Sequence, residues 1–529
     1  MLKRRRLPHA LSLLSVAMLA ASVNAQAQGD AETVMAQTCA ACHSSDKEGQ
    51  YTRIDNQRKT PEGWLMTIAR MQVMHGLKIS DEDRRTVVKY LADRQGLAPD
   101  ETEGSRYALE RRLNTLETFD SQQFTETCAR CHSGARVELQ RRPAEEWEHL
   151  VHFHLGQWPS LEYQALSRDR DWLPLALNEM VPELAAQLPL ETDAWTKWQL
   201  ADKPQPAGQW RLAGHMPGRG SMSGVMSVEA QGKDVYSLNF EGRYADGTPI
   251  NGKGQAIVYT GYEWRGDLEI DGTPMRQVFA LAGGRLEGRM FETLHDEVGF
   301  DISGARIDSG EQALLALQPS FLKSGESAEL TLVGTGLGGQ PDFGDGVEVE
   351  EVLASSATEM RVRVKVADGA SGVREVRIGD SDTQSLSLYD RIDSVRVVPD
   401  YSVSRIGGNG SSTPKVYGLF DAEAWSAGAD GETGTADDYR IGVVPATWRV
   451  EPFDERAAED EDVRFAGTMD AATGRFTPGA AGPNPERRMS TNNAGNLKVI
   501  AEVADGERTL SGSGQMIVTV QRWNNPPIP

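Results

Sequence analysis

Two short stretches of this 529-residue chain place two cysteines and a histidine at the spacing Cys-x-x-Cys-His. They read CAACH and CARCH, and together they contain every cysteine of the sequence: Cys39, Cys42 and His43 in the first, Cys128, Cys131 and His132 in the second. In a c-type haem site the two thiols bond the vinyl groups of the porphyrin, and the adjacent histidine binds the iron. The two motifs therefore predict two covalently attached haem c groups.

Disulfide bonds and a zinc site are the alternatives for these four cysteines. Disulfides are common in exported proteins, but a disulfide framework gives no reason for a histidine after each pair. Four cysteines can also bind one zinc ion, but a zinc site does not require a histidine at that fixed position. The pattern favours haem attachment over both.

The N-terminus has the pattern of a secretory signal peptide. A basic segment, Lys3–Arg6, precedes an apolar stretch, Ala10–Ala21, and small residues at Ala25 and Ala27 offer cleavage sites. The apolar stretch is shorter than the ~18 residues that a membrane span needs. We therefore expect residues 1–27 to be a signal peptide, and the mature chain to have no membrane span and to reach the bacterial periplasm.

The sixth ligand of each iron is predicted from an internal repeat after each motif. RKTPEGWLMTIARM follows the first motif, and RRPAEEWEHLVHFH follows the second. Aligning Trp64 with Trp147 places Met71 opposite His154. A methionine ligand raises the potential of a haem and a second histidine lowers it. We predict Met71 as the sixth ligand of the first haem and His154 as that of the second.

Several neighbouring residues are alternatives to this pair. The same alignment places Met66 opposite His149, and Met74, His75 and His152 follow as further candidates. A helical methionine more commonly packs in a core than binds a metal. A neutral imidazole is a good ligand, and the segment HLVHFH concentrates three of them.

Helices must position these ligands. Pro61 and Pro143 suit the first turn of a helix, where the missing N–H has no bonding partner to lose. Pro174 and Pro182 are expected to break the helical segments at the end of this region. The repeat divides the region into two halves of one α-helical dihaem cytochrome c domain.

Beyond the proline-containing linker at Pro204 and Pro206, glycine becomes frequent and short alternating runs such as MRVRVKV replace the helical pattern. Such runs predict strands with one solvated face. The fold class is therefore a multidomain α plus all-β chain, with β-barrel and immunoglobulin-like sandwich domains after the helical one. The predicted boundaries are 1–27 for the signal peptide, 28–205 for the dihaem domain (halves about 28–118 and 119–205), 206–308 for a barrel-like domain, and 309–393 and 394–529 for two immunoglobulin-like domains.

One acidic loop, Ala427–Gly442, has carboxylates that suit calcium. They are Asp430, Glu432, Asp437 and Asp438. Their spacing lacks the order and the final glutamate of an EF-hand, so an acidic surface turn is the favoured interpretation and calcium stays an open alternative.

The net charge of −22 argues against nucleic acid and anionic membranes as partners. It is compatible with a basic redox partner.

The chain resembles the α subunit of bacterial quinohemoprotein amine dehydrogenase over essentially all of its mature length. The paired segments RKTPEGWLMTIARM and RRPAEEWEHLVHFH carry the resemblance, together with LQPSFLKSGESAELTLVGTGL and GADGETGTADDYRIG further along. In that family the α subunit assembles with a β-propeller subunit and a small subunit that carries cysteine tryptophylquinone, where primary amines are oxidised to aldehyde and ammonia.

The resemblance implies that this chain takes electrons from that quinone and relays them through two haems to a periplasmic copper protein or cytochrome c. No catalytic residue is expected here, because the quinone requires a cysteine and all four belong to the haem motifs. A free-standing dihaem cytochrome c and a dihaem peroxidase are the alternatives. A peroxidase would need one iron with an open or displaceable sixth position and would not explain three β domains.

Overall fold

The computed structural model describes residues 26–46, 49–408 and 413–521. Residues 1–25, most of the predicted signal peptide, lie outside the described residues, so that feature stays a prediction. A helical region comes first and several β units follow it, which confirms the predicted fold class at this level. No helix within the described ranges is long and apolar enough to cross a membrane.

The helical region extends to Leu200 and consists mostly of short helices. Its helices are α1 (Gln26–Thr38), α2 (Pro61–His75), α3 (Asp81–Arg94), α4 (Pro99–Thr102), α5 (Arg106–Leu109), α6 (Gln122–Thr127), α7 (Ala135–Glu138), α8 (Ala144–Gln157), α9 (Trp172–Leu175), α10 (Val181–Gln187) and α11 (Asp193–Leu200). Two-residue strands, β1 (Arg58–Lys59) and β2 (Gln140–Arg141), precede α2 and α8.

The helices α2 and α8 carry the predicted sixth ligands. Pro61 is the first residue of α2, as predicted, and the Thr60 side chain caps that helix by accepting a hydrogen bond from the Gly63 N–H at 3.3 Å. In α8, Pro143 is the N-cap and lies one position before the helix. The two prolines therefore do not align with each other: Pro61 lies three residues before Trp64, and Pro143 lies four residues before Trp147.

Pro174 and Pro182 do not break the helical path as expected. Helix α9, a π-helical turn (Ala176–Met180) and α10 follow one another without a gap. The Val181 N–H donates to the Ala176 carbonyl, five residues back. Pro182 lies in the first turn of α10, where its missing N–H leaves no bond unmade.

The strands β1 and β2 relate the two halves by an approximate two-fold axis. They pair antiparallel, with Arg58 directly opposite Arg141. These two residues are equivalent when Trp64 is aligned with Trp147, and both tryptophans are 1% exposed. Each half therefore has its own apolar core around one tryptophan, and the ribbon sets how the halves face each other.

A single carboxylate, Glu101, binds both arginines of this ribbon. Arg58 Nη1 and Nη2 each lie 2.8 Å from one of its oxygens, and Arg141 Nε lies 3.1 Å from Oε1. The Glu101 and Arg58 side chains are each 4% exposed. Although burial raises the pKa of Glu101, the hydrogen bonds and charge of Arg58 outweigh burial and lower it, so the group stays ionised.

The first β unit is a closed barrel in which each strand pairs antiparallel with its neighbours and the last strand pairs with the first. This confirms the predicted barrel. Its strands are β3 (Gly208–Met216), β4 (Gly220–Gly232), β5 (Val235–Tyr244), β6 (Pro249–Tyr259), β7 (Glu263–Ile270), β8 (Thr273–Ala282), β9 (Arg285–Glu292) and β10 (Gly299–Arg306).

The barrel interior is packed with side chains. Trp210, Trp264, Phe240 and Phe279 are buried in one cluster, and the Gln277 amide oxygen accepts a hydrogen bond from the Trp264 indole at 2.9 Å. An eight-stranded barrel is just wide enough for side chains to fill. Side chains therefore fill the interior of this barrel, which suits a structural support.

The turn between β6 and β7 fastens the barrel to the helical region. The Thr260 N–H donates to Asp93 at 2.9 Å, and its hydroxyl donates to the Ala92 carbonyl at 3.0 Å. Nearby, Arg265 Nε donates to Glu62 at the start of α2, at 2.6 Å. Both α2 and α3 are therefore held against the barrel by polar contacts.

The second β unit is a sandwich of two four-stranded sheets around one apolar core. One sheet has the order β11-β13-β16-β15 and the other β12-β18-β17-β14. The strands are β11 (Ala313–Gln318), β12 (Phe321–Lys323), β13 (Ser327–Thr335), β14 (Pro341–Asp342), β15 (Val347–Ser355), β16 (Glu359–Val366), β17 (Gly372–Ile378) and β18 (Gln384–Tyr389). The edge strand β15 is exposed along most of its length and carries three glutamates.

The third β unit also packs its sheets around a single core. Its sheets have the orders β19-β22-β23, β20-β28-β27-β24 and β21-β26-β25. The elements are β19 (Ser394–Val398), β20 (Tyr401–Arg405), β21 (Gly418–Leu419), β22 (Asp421–Ser426), β23 (Tyr439–Val444), β24 (Thr447–Pro452), α12 (Glu455–Glu459), α13 (Asp462–Phe465), β25 (Gly467–Met469), β26 (Arg475–Pro478), β27 (Gly495–Asp505) and β28 (Arg508–Thr519).

The Glu101→Gln variant should destabilise the helical region by about 3–5 kcal/mol, because it leaves two buried guanidinium groups without their counter-charge. Chemical denaturation followed by far-ultraviolet circular dichroism and tryptophan fluorescence measures this change. Glu329→Gln, which removes one partner of the exposed pair between Glu329 and Arg363, is the control and should have little effect. Equal destabilisation by both variants would contradict the importance of the buried carboxylate.

The contact between His215 of the barrel and Asp421 of the last unit should depend on pH. His215 Nε2 lies 2.8 Å from Asp421 Oδ2. Burial lowers the pKa of His215, but the hydrogen bond and charge of Asp421 outweigh burial and raise it. A raised pKa means that the stabilisation is complete below about pH 6.5 and is lost as the pH rises through the folded-state value.

We therefore expect the unfolding temperature to fall more steeply between about pH 6 and pH 9 in the wild type than in His215→Gln, whose side chain does not titrate. Calorimetry at several pH values measures both slopes. Parallel slopes would show that this contact contributes no proton-linked stability.

Candidate haem-binding sites

The first Cys-x-x-Cys-His motif forms a compact turn directly after α1. The N–H groups of Cys39 and Ala40 both donate to the Met35 carbonyl, at 2.8 and 3.1 Å. The His43 N–H then donates to the Cys39 carbonyl at 2.9 Å. These bonds gather both cysteines and the histidine on one loop.

The second motif begins in the same way after α6. The N–H groups of Cys128 and Ala129 donate to the Phe124 carbonyl at 2.8 and 3.1 Å. The Glu117 carboxylate fixes the end of the loop by accepting a hydrogen bond from the Gly134 N–H at 2.9 Å. The two motifs therefore begin with the same pair of backbone hydrogen bonds, whereas, among the described residues, the bond from the motif histidine N–H to the first cysteine carbonyl is formed in the first motif and not in the second.

The four cysteines form no disulfide with one another, and each is a free thiol. Cys39 and Cys128 are partly buried, whereas Cys42 and Cys131 are exposed. Burial raises the pKa of Cys39 and raises that of Cys128 to about 12. All four thiols are therefore available for covalent attachment, which the disulfide alternative would not allow.

The motif histidines and His154 share one hydrogen-bonding arrangement. In each ring Nδ1 lies within hydrogen-bond distance of a backbone carbonyl, which only accepts, so Nδ1 carries the proton and Nε2 keeps its lone pair. A metal-binding histidine is held in this way, with its other nitrogen donating to a carbonyl or carboxylate. The distances are 2.9 Å from His43 to the Thr52 oxygen, 2.9 Å from His132 to the Ser133 oxygen, and 2.7 Å from His154 to the Leu150 oxygen.

The structure brings His132 and His154 opposite each other. Their ring centroids are 6.5 Å apart and their planes differ by 26°. Bonds between a metal and an imidazole nitrogen are about 2 Å long, so two imidazoles on opposite sides of one metal have centroids about 6 Å apart. Burial lowers the pKa of both rings, which favours the neutral form that binds metals. The separation of the two rings is close to that expected for two imidazoles that bind one metal ion.

The alternative histidines have other surroundings. His149 Nδ1 lies 3.5 Å from Glu146, and His152 Nε2 lies 3.8 Å from Glu148 with its side chain 51% exposed. Neither is placed against His132 as His154 is. Among the predicted candidates on α8, His154 is thus the one for which the structure shows a ring contact with His132, and its role as the sixth ligand stays a prediction.

The methionines of α2 also differ in their surroundings. The Met66 sulfur accepts hydrogen bonds from Arg70 and Arg136, at 3.0 and 2.8 Å. Met74 is 45% exposed near the end of the helix, and His75 is exposed. Met71 is partly buried at the position equivalent to His154, and it stays the predicted ligand of the first haem.

The acidic loop satisfies its carboxylates internally. Asp437 accepts hydrogen bonds from the N–H groups of Ala429 and Asp430 at 2.7 and 3.1 Å, and Asp438 accepts one from the Gly434 N–H at 2.8 Å. Within the described ranges, no group of three or more His, Cys, Asp and Glu side chains is placed to hold a metal ion. This geometry favours the surface turn over a calcium site.

The comparisons with known proteins divide the chain into four segments, each matched by a family model of the same protein. The models describe the quinohemoprotein amine dehydrogenase alpha subunit: its haem-binding domain at residues 29–195, domain II at 204–307, domain III at 311–390 and domain IV at 395–528. The chain belongs to this family. Members are subunits of a multi-subunit oxidoreductase, and the haem-binding domain of this alpha subunit contains both Cys-x-x-Cys-His motifs.

No curated protein matches the chain. Among solved structures, a redesigned beta barrel, mFAP1, bound to DFHBI is 15% identical and covers 19% of this chain and 92% of its own, with a TM-score of 0.17. Three cadherin repeats of Drosophila N-cadherin (EC1-3) are 11% identical and cover 50% of this chain and 86% of their own, with a TM-score of 0.21. Likenesses of this size carry no argument about function.

Sequence reasoning missed several residues around the second site of this alpha subunit. Trp172 packs beside His154 with ring centroids 5.8 Å apart, and Glu117 positions the loop after His132. Neither lies at a motif position, so the sequence holds no local signal for them. Arg70 and Arg136 do lie close to the repeated basic segments, which is the signal that could have found them.

Met71→Ala should abolish the long-wavelength charge-transfer band of a methionine-bound ferric haem, while the second haem stays low-spin. His154→Ala should have the opposite effect, because it removes one of two facing imidazoles and leaves a high-spin second haem. Absorption and electron paramagnetic resonance spectra of the purified chain measure both outcomes. Met66→Ala and His149→Ala are the matched controls, and a loss of either signal in a control would reassign the ligand.

Proposed function

We propose that this alpha subunit is the electron-transfer subunit of a periplasmic amine dehydrogenase and carries two haem c groups. It takes electrons from a cysteine tryptophylquinone in a small partner subunit, where primary amines are oxidised to aldehyde and ammonia. It passes them to a periplasmic copper protein or cytochrome c. Two low-spin haems of different ligation, His/Met and His/His, distinguish this function from a dihaem peroxidase.

The separation of 6.5 Å between the His132 and His154 rings carries the proposal. Two imidazoles at this separation suit an iron with both axial positions filled, which would leave no open position for a small substrate. The second site is therefore suited to moving electrons and not to binding peroxide. Haem iron, when bound, supplies a one-electron carrier whose potential depends on its axial ligands.

Each haem would be held by the two cysteines and the histidine of one motif. Cys39 and Cys42 would form thioether bonds to the first porphyrin, and Cys128 and Cys131 to the second. His43 and His132 would bind iron through Nε2, because their Nδ1 atoms are held by backbone carbonyls. The same bonds fix each ring orientation before haem is attached.

The β units have the character of a scaffold. The barrel is filled with side chains, and the two sheets of the next unit have the strand distribution of an immunoglobulin-like sandwich, which supports that assignment. We assign the outer surfaces of these units to the β-propeller and quinone-bearing subunits. The quinone itself belongs to a partner, since it requires a cysteine and this chain has four, all in haem motifs.

The function is tested on the complex purified from its native host. Anaerobic addition of a primary amine should reduce the haems of this chain, as followed by the α and Soret bands. A tertiary amine is the control and should leave them oxidised. A purified chain that brings no quinone-bearing subunit with it, and whose haems ignore primary amines, would support the free-standing cytochrome instead.

The double variant Cys128→Ala, Cys131→Ala should keep half of the covalent haem of the wild type. The first motif forms its own turn and should be unaffected, since it lies in a separate half with a separate core. Haem-stained denaturing gels and the pyridine haemochrome assay measure haem per chain. A full haem complement in the variant would show that no haem is attached at Cys128 and Cys131.

A further inference from the structure

Two arginines beside the second haem site have no carboxylate partner. The guanidinium groups of Arg70 and Arg136 both donate to the sulfur of Met66, at 3.0 and 2.8 Å. A thioether is a weak acceptor and carries no charge. Across the described ranges, neither guanidinium forms an ion pair with any Asp or Glu, although most arginines of the chain do.

The surroundings of these arginines are rich in positive charge. Lys59 lies 4% exposed next to Trp64 and donates to the Thr67 hydroxyl at 2.6 Å. The nearby carboxylate of Glu146 is already bound by Arg53 at 3.2 Å and by Arg142 at 3.6 Å. Arg70 is half-buried and Arg136 is exposed, so both guanidinium groups are accessible to an anion that the chain itself does not supply.

The position of the two arginines identifies the anion. Arg70 lies over the ring of Phe153 at 5.8 Å, and Phe153 directly precedes His154 on α8. Arg136 is on α7, four residues after His132. Arg70 therefore contacts the residue next to His154, and Arg136 follows His132 by four residues. Both guanidinium groups lie in the neighbourhood of the two imidazoles, where they would be able to reach the propionates of a haem bound there.

We propose that Arg70 and Arg136 bind the propionate carboxylates of the second haem. A haem carries two propionates, and guanidinium groups bind carboxylates through two parallel hydrogen bonds with favourable charge. Arg70 belongs to the first half of the repeat and Arg136 to the second, so this contact also connects the two halves through the haem. The inference rests on the proposed function, since it requires a haem at Cys128 and Cys131.

The contact has a measurable effect on the iron. Each guanidinium stabilises the reduced, less positive state, and it keeps its propionate ionised across the neutral pH range. Replacing either arginine with glutamine should shift the midpoint potential of the second haem to more negative values. It should also make that potential depend on pH near neutrality, because the released propionate then titrates in this range.

The experiment is a spectroelectrochemical titration of the full-length haem-loaded chain at several pH values, for wild type, Arg70→Gln and Arg136→Gln. Thioether bonds retain the haem in every variant, and an unchanged low-spin spectrum shows that its axial ligands are intact. Arg136→Lys should recover part of the shift, because it restores the charge without the two-pronged geometry.

Two controls separate propionate binding from other effects. Arg85→Gln removes an equal charge from an exposed site on α3 and should leave the potential and its pH dependence unchanged. Met66→Leu removes the sulfur contacted by both guanidinium groups and should also leave them unchanged. If Met66→Leu reproduces the arginine variants, or if the arginine variants shift the potential without new pH dependence, the proposal is wrong.

The wild-type spectrum separates this inference from the proposed function. Fewer than two haems per chain, or a high-spin second haem, would contradict the function itself. Two low-spin haems combined with arginine variants that behave like Arg85→Gln would contradict only the propionate contact.

Discussion

The buried contact of Glu101 with Arg58 and Arg141 determines how the two halves of the haem-binding domain are arranged. The removal of three charged groups from water is costly, and here the carboxylate recovers that cost through bonds to both arginines and to the Ala98 N–H at 2.8 Å. Arg58 and Arg141 are equivalent by the repeat, so this one carboxylate connects equivalent positions of the two halves.

The repeat keeps its framework constant and varies the groups that tune each site. Lys59 lies over Trp64 at 5.3 Å in the first half, and Arg142 lies over Trp147 at 5.6 Å in the second. The backbone turn at each Cys-x-x-Cys-His motif is the same to within 0.1 Å in its first two hydrogen bonds. At one equivalent helical position the first half has a methionine, Met71, and the second a histidine, His154, so the two halves present different candidate ligands on one framework.

The sequence could predict features that depend on local spacing. The motif turns, the proline at the start of α2, the alternation of β16 and the change from helices to strands all depend on residues within a few positions of one another. The Glu101 contact joins residues 43 and 40 positions apart, and barrel closure pairs β10 with β3. Such pairings have no local sequence signature, because many acidic residues of the chain could form an ion pair with the same arginine.

Pro182 shows where prediction from local spacing stops being sufficient. Pro182 was expected to break a helix, but the π-helical turn before it shifts the bonding by one residue, so the helical path continues. That shift depends on how α10 packs against α8 within the second half, which the local sequence does not contain.

The edge strand β15 has a consequence for the behaviour of the chain at high concentration. Its exposed Glu348, Glu350 and Glu351, and the two irregularities in its pairing with β16, leave an edge on which another strand cannot align without burying charge. The barrel has no edge at all. The edge at β15 is therefore protected against pairing with a strand of another molecule, and a partner that binds here would contact side chains and loops and would not extend the sheet.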